Sequence, residues 1–211
     1  MKLVLPSFEI LSMPSREESL RLIELAGRTA YKSEDKITAE SAPRFVRMLM
    51  GRNHQSVIEH VSATVKLTVD RGVSHEAVRH RIASFTQTST RYVNYGRQGI
   101  EFIIPPWLMG TVPEGQMDQT KARLYRGACH CWLVSLLEAE SDYNSLLAEG
   151  WQPQQARDVL PNALKTEIVV TANFREWAHI FELRCSPAAH PAMRSIMTQV
   201  RERFQQALPE V

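Results

Sequence analysis

Arg79, His80, Arg81 and Arg91 punctuate the stretch RHRIASFTQTSTRY (79–92), which also packs six hydroxyl side chains into fourteen positions with no glycine and no proline. Guanidiniums beside hydroxyls and amides form the donor set that phosphate and sugar oxygens require. Arginine brings a planar fork of N–H groups, and Ser84, Thr86, Gln87, Thr88, Ser89 and Thr90 add neutral ones. From Val78 to Ile100 the chain has no Asp and no Glu. Arg79, Arg81, Arg91, Arg97 and His80 therefore lack a counter-charge nearby in sequence, and a bound anion would supply one. A solvated basic helix running into a polar loop is the plainer explanation for an arbitrary arginine patch. The missing carboxylates weigh against it.

Two further groups have side chains capable of chemistry. In NHQSVIEH (53–60), His54, Ser56, Glu59 and His60 place two histidines and a carboxylate close together, but the spacing matches no standard zinc pattern, so no metal is expected there. In ARDVLPNALKTEIVVTANFREWAHIFELRCS (156–186), Arg157, Lys165, Arg175 and Arg184 are spread along apolar elements with Asn173 and His179. Arg184 follows His179 by five residues, about 140° around a helix, so the two need not touch one group. The CHC triplet at Cys129 to Cys131 falls within a predicted helix, where positions two apart face away from each other. Both cysteines read as small buried hydrophobes.

These groups must be held by elements legible in the same sequence. VLPSFEILS predicts a short strand. Ser15 and Glu18 form a capping box that opens a helix, with Leu22, Leu25 and Ala26 on one face. A second helix is expected from about Ala39 to Met50. Val61 to Asp70 alternates Val61, Ala63, Val65, Leu67 and Val69 with polar neighbours, as a half-buried strand does. Ser74 is expected to cap a helix from Glu76 to about Ile82, so that Arg79, His80 and Arg81 fan out about 100° apart and cannot all meet one small anion. IEFIIP reads as a strand stopped by Pro105 and Pro106. Gln116 to Glu149 reads as one long helix stopped by Gly150, with CWLVSLL as its buried middle. A short helix from Gln154 to Leu160 follows, then the mostly apolar EIVVTANF, then helices from about Arg175 and about Pro191. This mixed order predicts an α+β fold, a mixed sheet flanked by helices with one long central helix, in one domain, 1–211.

Composition narrows the functional classes. The 25 basic and 23 acidic residues leave a net charge of +2, so no global field draws the chain to a nucleic acid polymer or an acidic membrane. No apolar run reaches the roughly 20 residues that a spanning helix needs. MKLVLPSFEI meets Glu9 too early for a secretory core. Three cysteines are an odd number that argues against a disulfide framework and for a reducing, cytoplasmic setting.

The Arg-His-Arg triplet, seven intervening residues, Ser89 and then Arg91 form a long motif. Extended by SHEAVRHR at its start and STRY at its end, it resembles the flavin-dependent thymidylate synthase family. NHQSVIEH and the 156–186 segment are similar to other parts of that family, so the resemblance covers nearly the whole chain, with residues 105–150 least distinctive. It implies methylation of dUMP to dTMP, with 5,10-methylenetetrahydrofolate as carbon donor and FAD, reduced by NADPH, as hydride carrier. It implies flavin contacts at Ser56, Arg79, His80, Arg81, Gln87, Asn173, Phe174, Arg175 and His179, with His54 near the flavin. For dUMP it implies Glu76, Ala77, Val78, Arg79, Gln87, Thr88, Ser89, Thr90, Arg91, Arg157 and Arg184. Thr86 stands where many relatives have Asn, Gln87 where many have Glu, and His179 where some have Asn; all three can still donate hydrogen bonds. The family assembles as homotetramers with active sites at subunit interfaces, and it uses no cysteine nucleophile. The uracil ring must instead be made nucleophilic by a fixed cation beside it, a role expected of Arg184.

Two other classes compete. Arginines beside Phe85, Tyr92 and Tyr95 could track a nucleic acid backbone and stack bases, but the near-neutral charge and 8% aromatic content oppose this. A relative that keeps the flavin and has lost turnover is the other.

Overall fold

Pro6 has no N–H to give to a sheet, and it splits the first strand signal into β1 (Lys2–Val4) and β2 (Ser7–Ser12), which join different sheets. The computed structural model describes all residues, Met1–Val211. After β2 come α1 (Arg16–Thr29) and α2 (Ser41–Gly51), a 3-10 turn at Gln55–His60, and β3 (Ser62–Asp70). Next are α3 (Arg71–Ala77), β4 (Ser84–Gln87), α4 (Tyr95–Gln98), β5 (Glu101–Ile103) and β6 (Gly115–Gln116). The remainder is α5 (Gln119–Ala122), α6 (Gly127–Ala148), α7 (Pro153–Ala156), β7 (Lys165–Asn173), α8 (Phe174–Arg184) and α9 (Pro191–Ala207). The fold is mixed α/β with two sheets, ordered β5-β1-β6 and β2-β3-β7-β4. No helix is long and apolar enough to cross a membrane.

The chain divides into two units that interleave along the sequence. The first comprises 1–7, 67–79 and 86–168, the second 8–66, 80–85 and 169–211. In the first, β1 pairs parallel with β5, Leu3 opposite Phe102, and antiparallel with β6. Leu3, Phe102 and Ile104 pack there with Leu133, Leu136 and Tyr143 of α6. The expected helix over 116–149 is broken in two. Asp118 accepts a hydrogen bond from the Lys121 N–H and starts α5, while Gly127, at φ +57, sets the chain direction at which α6 begins. At its other end α6 stops as expected. Gly150 takes φ +91, its N–H donates to the Leu147 carbonyl and the Trp151 N–H donates to the Leu146 carbonyl, the 5→2 and 6→1 pair of a Schellman stop. Cys131 is exposed and Cys129 only half-buried, so neither is the core residue expected. Positions two apart do face apart, and α6 turns Leu133, not Cys131, inward.

In the second unit the capping box at Ser15 and Glu18 forms as expected. The buried face of α1, however, is Leu20, Ile23, Glu24 and Gly27, and Leu22 and Leu25 are exposed. The spacing i, i+3, i+4 fits both faces. Close packing chooses between them, since a Cβ on Gly27 would lie 2.8 Å from Leu49 Cδ1 and from Phe45 Cε1 of α2. Strand β3 buries Ala63, Val65, Leu67 and Val69, and Val61 just before it is buried on the same face, as the alternation predicts.

Near the chain end, Glu210 lies buried between two guanidiniums and accepts from Arg16 Nη2 at 2.5 Å and Arg47 Nη2 at 2.9 Å. The Arg16 bond, helped by both positive charges, holds its carboxyl below the ordinary range despite burial. A depressed folded pKa contributes stability that is complete above the unfolded value, 4.5, and lost as pH falls through the folded one. Glu210→Gln should therefore lower Tm at pH 7, and calorimetry on both proteins should show that gap close as pH falls below 4.5. A gap independent of pH would refute the ionic role.

Candidate functional site

Helix α3 begins one turn earlier than the Ser74 cap predicts, because the Asp70 carboxylate accepts from the Val73 N–H at 2.8 Å and caps it there. Ser74 sits inside the helix, where its hydroxyl donates to the Arg71 carbonyl and accepts from Gln87 Nε2 at 2.8 Å. The Gln87 amide donates its second N–H to Thr166 at 3.0 Å. Both of its donors are engaged, which leaves the carbonyl oxygen, an acceptor, to meet a ligand. A carboxylate at this position would likewise offer an acceptor, so the replacement of Glu by Gln keeps the polarity that matters. The helix ends at Ala77, half a turn short of Arg79. Glu76 is half-buried, Ala77 buried, Val78 exposed, and Arg79 exposed on the turn that follows.

In the same unit, residues 88–91 form a donor-rich loop. The Thr88 N–H donates to the Glu167 carbonyl at 2.9 Å and ties the loop to β7. The Ser89 carbonyl accepts from the N–H groups of Tyr92 and Val93, while its hydroxyl accepts from the Arg91 N–H at 3.3 Å. The Arg91 guanidinium donates from Nε to Gln154 at 3.1 Å and lies 5.3 Å over the Tyr92 ring; Arg157 donates to the buried Thr90 hydroxyl at 3.1 Å. Every partner is neutral, and no ion pair of the chain includes Arg91, Arg157, Arg79 or Arg81. The loop thus orients guanidiniums without cancelling their charge, which suits them to an anion such as a nucleotide phosphate.

In the second unit, His80 is not on a helix. It follows the α3 turn and is buried, whereas Arg81 beside it is exposed. His80 has no counter-charge nearby in sequence, but the fold brings a carboxylate to it from a distant part of the chain. Glu176 Oε1, in the first turn of α8, lies 3.5 Å from His80 Nδ1. Arg184, at the far end of α8, donates from Nε to His80 Nε2 at 2.9 Å. The ring of His179 meets that of His80 edge to face at 5.9 Å. His179 and Arg184, expected to diverge around their helix, thus share His80 as a neighbour. Burial, then the charge of Arg184 and then His179, push the His80 pKa down to about 4.

His80, Glu176 and His179 also bring three potential ligand atoms within 4.8 Å of one another. A cation fits this group poorly. With Nε2 accepting from Arg184, the proton of a neutral imidazole sits on Nδ1, so neither ring nitrogen has a lone pair to give, and a guanidinium stands alongside.

Asn173 accepts from the Glu176 N–H at 2.9 Å and caps α8, which leaves its amide N–H groups for other partners. Phe174 is buried beneath, 5.5 Å from Phe204. Asn173, Arg175 and His179 line a cavity of about 590 Å³ with Gln55, Glu59 and Glu182. A neighbouring cavity of about 430 Å³ is lined by His54, Ser56 and Arg175. Arg175 pairs with Glu59. This mixture of amide, imidazole and guanidinium with carboxylates suits a heteroaromatic base and ribose hydroxyls, so the donor chemistry fits the adenosine part of a flavin dinucleotide. Burial raises the Cys129 and Cys185 thiols, so neither is a ready thiolate.

Sequence reasoning missed Glu176, Ser74, Thr166 and Gln154, which hold the site residues. Only Glu176 carried a signal, as an acidic residue three positions after an Asn cap and buried in the fold.

Scaffold and side chains together define a mixed α/β protein whose guanidiniums are placed for anionic ligands. The chain belongs to the flavin-dependent thymidylate synthase family: the family model described as thymidylate synthase complementing protein, Thy1, matches residues 12–210. It is 36% identical over 195 residues to the flavin-dependent thymidylate synthase of Corynebacterium efficiens, covering 90% of this chain and 77% of that one. With the enzyme of the same name from Geobacter sulfurreducens it shares 34% identity over 186 residues, 84% of this chain and 74% of the relative. Among solved structures, the UMP/dUMP methylase PolB of Streptomyces cacaoi bound with 5-Br dUMP superposes with a TM-score of 0.77 at 21% identity, over 100% of this chain and 94% of the other. At that identity the likeness concerns the fold.

Proposed function

We propose that this chain is a flavin-dependent thymidylate synthase that reductively methylates dUMP to dTMP, with 5,10-methylenetetrahydrofolate as carbon donor and FAD reduced by NADPH as hydride source. One observation carries the reading furthest: Arg91 and Arg157 are oriented by neutral partners and left with their charge intact. A dianionic phosphate is the ligand that rewards such an arrangement. Ser89 and Thr90 add hydroxyls and backbone N–H groups for the same nucleotide and Thr88 anchors their loop beside it, with Glu76, Ala77, Val78 and Arg79 from the end of α3, and Gln87 accepts from it or from the flavin.

Ser56, Arg79, His80, Arg81, Gln87, Asn173, Phe174, Arg175 and His179 hold the flavin, with His54 close by. When bound, the flavin supplies the hydride that no side chain can store. Arg184 stabilises the negative charge that develops on the uracil carbonyl oxygens and N3 as C5 attacks the one-carbon unit. The raised thiols of Cys129 and Cys185 support activation by charge instead of cysteine addition. All of 1–211 acts as one catalytic domain, in the cytoplasm, and four copies assemble so that each active site is completed at subunit interfaces.

The test is direct. The purified protein should be yellow, elute at about four subunit masses, and form dTMP from dUMP, methylenetetrahydrofolate and NADPH. A colourless monomer that forms no dTMP after incubation with FAD would overturn the reading.

A further inference from the structure

In the second unit Glu176, His80 and Arg184 form a chain of contacts, and of the three only Glu176 has no part in the proposed reaction. We propose that Glu176 is a positioning residue that acts through His80 to hold Arg184, the cation assigned to the uracil ring, in its working orientation. The inference rests on that assignment.

Three observations carry it. Glu176 is an acidic side chain only 7% exposed, with Oε1 3.5 Å from His80 Nδ1 and a His179 ring nitrogen within 4.8 Å. His80 is itself 5% exposed, so both groups are withdrawn from water, where a carboxylate is costly to hold without a function or a partner. On the opposite edge of the same ring, Nε2 accepts from Arg184 Nε at 2.9 Å. An imidazole can accept at one nitrogen only if its proton sits on the other, and a carboxylate facing Nδ1 favours that tautomer. Glu176 therefore fixes the proton of His80 at Nδ1, and the proton fixes the acceptor that Arg184 needs.

The choice of an imidazole has a chemical reason. Neutral His80 orients the guanidinium through its Nε without adding a negative charge of its own beside it. The groups that face His80 are Glu176, His179 and Arg184, all from α8. The buried setting, and then the cation nearby, keep the ring neutral at physiological pH, as the arrangement requires. The alternative, a purely structural buried pair, predicts a loss of stability without a selective loss of turnover.

Glu176→Gln and Glu176→Ala test it, the first being near-isosteric so that folding is preserved. With FAD saturating, kcat should fall by roughly 10–100-fold, as for other residues that orient a reacting group, while KM for dUMP moves far less. His80→Gln, whose amide oxygen can reach the place of Nε2, should recover part of the activity that His80→Ala loses. Independently of turnover, 15N NMR of the wild type at pH 7 should show His80 Nε2 unprotonated and the Arg184 Nε–H slow to exchange, with that protection reduced in both Glu176 variants. Glu176 variants that turn over within about twofold of wild type with Arg184 still protected would overturn the proposal. A wild type that shows the NMR pattern but makes no dTMP would sink the functional reading and leave the positioning relay standing.

Discussion

Arg184→Ala lowers dTMP formation by roughly 10²–10³-fold, the cost of removing one preorganised donor from a developing anion. Uracil C5 is a weak nucleophile until negative charge gathers on N3 and the carbonyl oxygens, and burial holds the Cys129 and Cys185 thiols above their ordinary range, away from the thiolate that addition needs. A cation held at the ring is what remains. Arg184 is oriented through its Nε by a neutral imidazole, a contact that adds no negative charge of its own. Arg184→Lys should restore little, because an ammonium lacks the planar fork and the Nε–H that His80 accepts. Steady-state rates with dUMP saturating, and flavin occupancy read from absorbance, measure both. An alanine variant within about threefold of wild type would show that ring activation lies elsewhere.

Trp177→Ala destabilises the second unit by about 3–5 kcal/mol, as large aromatic truncations in a core do, and lowers Tm by on the order of 10 °C. Trp177 is 1% exposed and lies within an aromatic cluster, with ring centroids 5.6 Å from Phe181 and 5.1 Å from Phe204. Its indole N–H donates to the Ala63 carbonyl at 3.1 Å, tying α8 to β3. Truncation leaves a cavity and an unpaired buried carbonyl together. Trp177→Phe keeps much of the packing and loses the hydrogen bond, so it should fall between the two. Because α8 carries Asn173 at its cap and Arg184 at its end, turnover in the alanine variant should fall as well. Thermal melting of the three proteins decides the matter, and equal Tm values for wild type and Trp177→Ala would contradict the packing account.

The strand at Val61 to Asp70 was legible because alternation places every second side chain on one buried face, and nothing in the tertiary structure competes with it. The capping box at Ser15 and Glu18 was legible for a similar reason, since both partners lie within one turn. Where two local solutions had equal merit, local pattern failed. Leu20, Ile23 and Gly27 satisfy the helical period as well as Leu22, Leu25 and Ala26 do, and only the approach of Phe45 and Leu49 to Gly27 selects between them. The start of α3 was missed because Asp70, read as the end of a strand, also caps the helix that follows it.

By itself the sequence determined the family motif, the carboxylate-free run from Val78 to Ile100, the alternation of β3 and the stop of α6 at Gly150. Each of these depends on residues near one another in the chain. Tertiary structure decided which partner every charged group meets. Glu176 and Arg184 reach His80 across about a hundred residues of sequence, and no local spacing encodes that meeting. Long-range contacts are selected by packing the whole core, in which the buried face of α8 and the turn after α3 must fill one volume together.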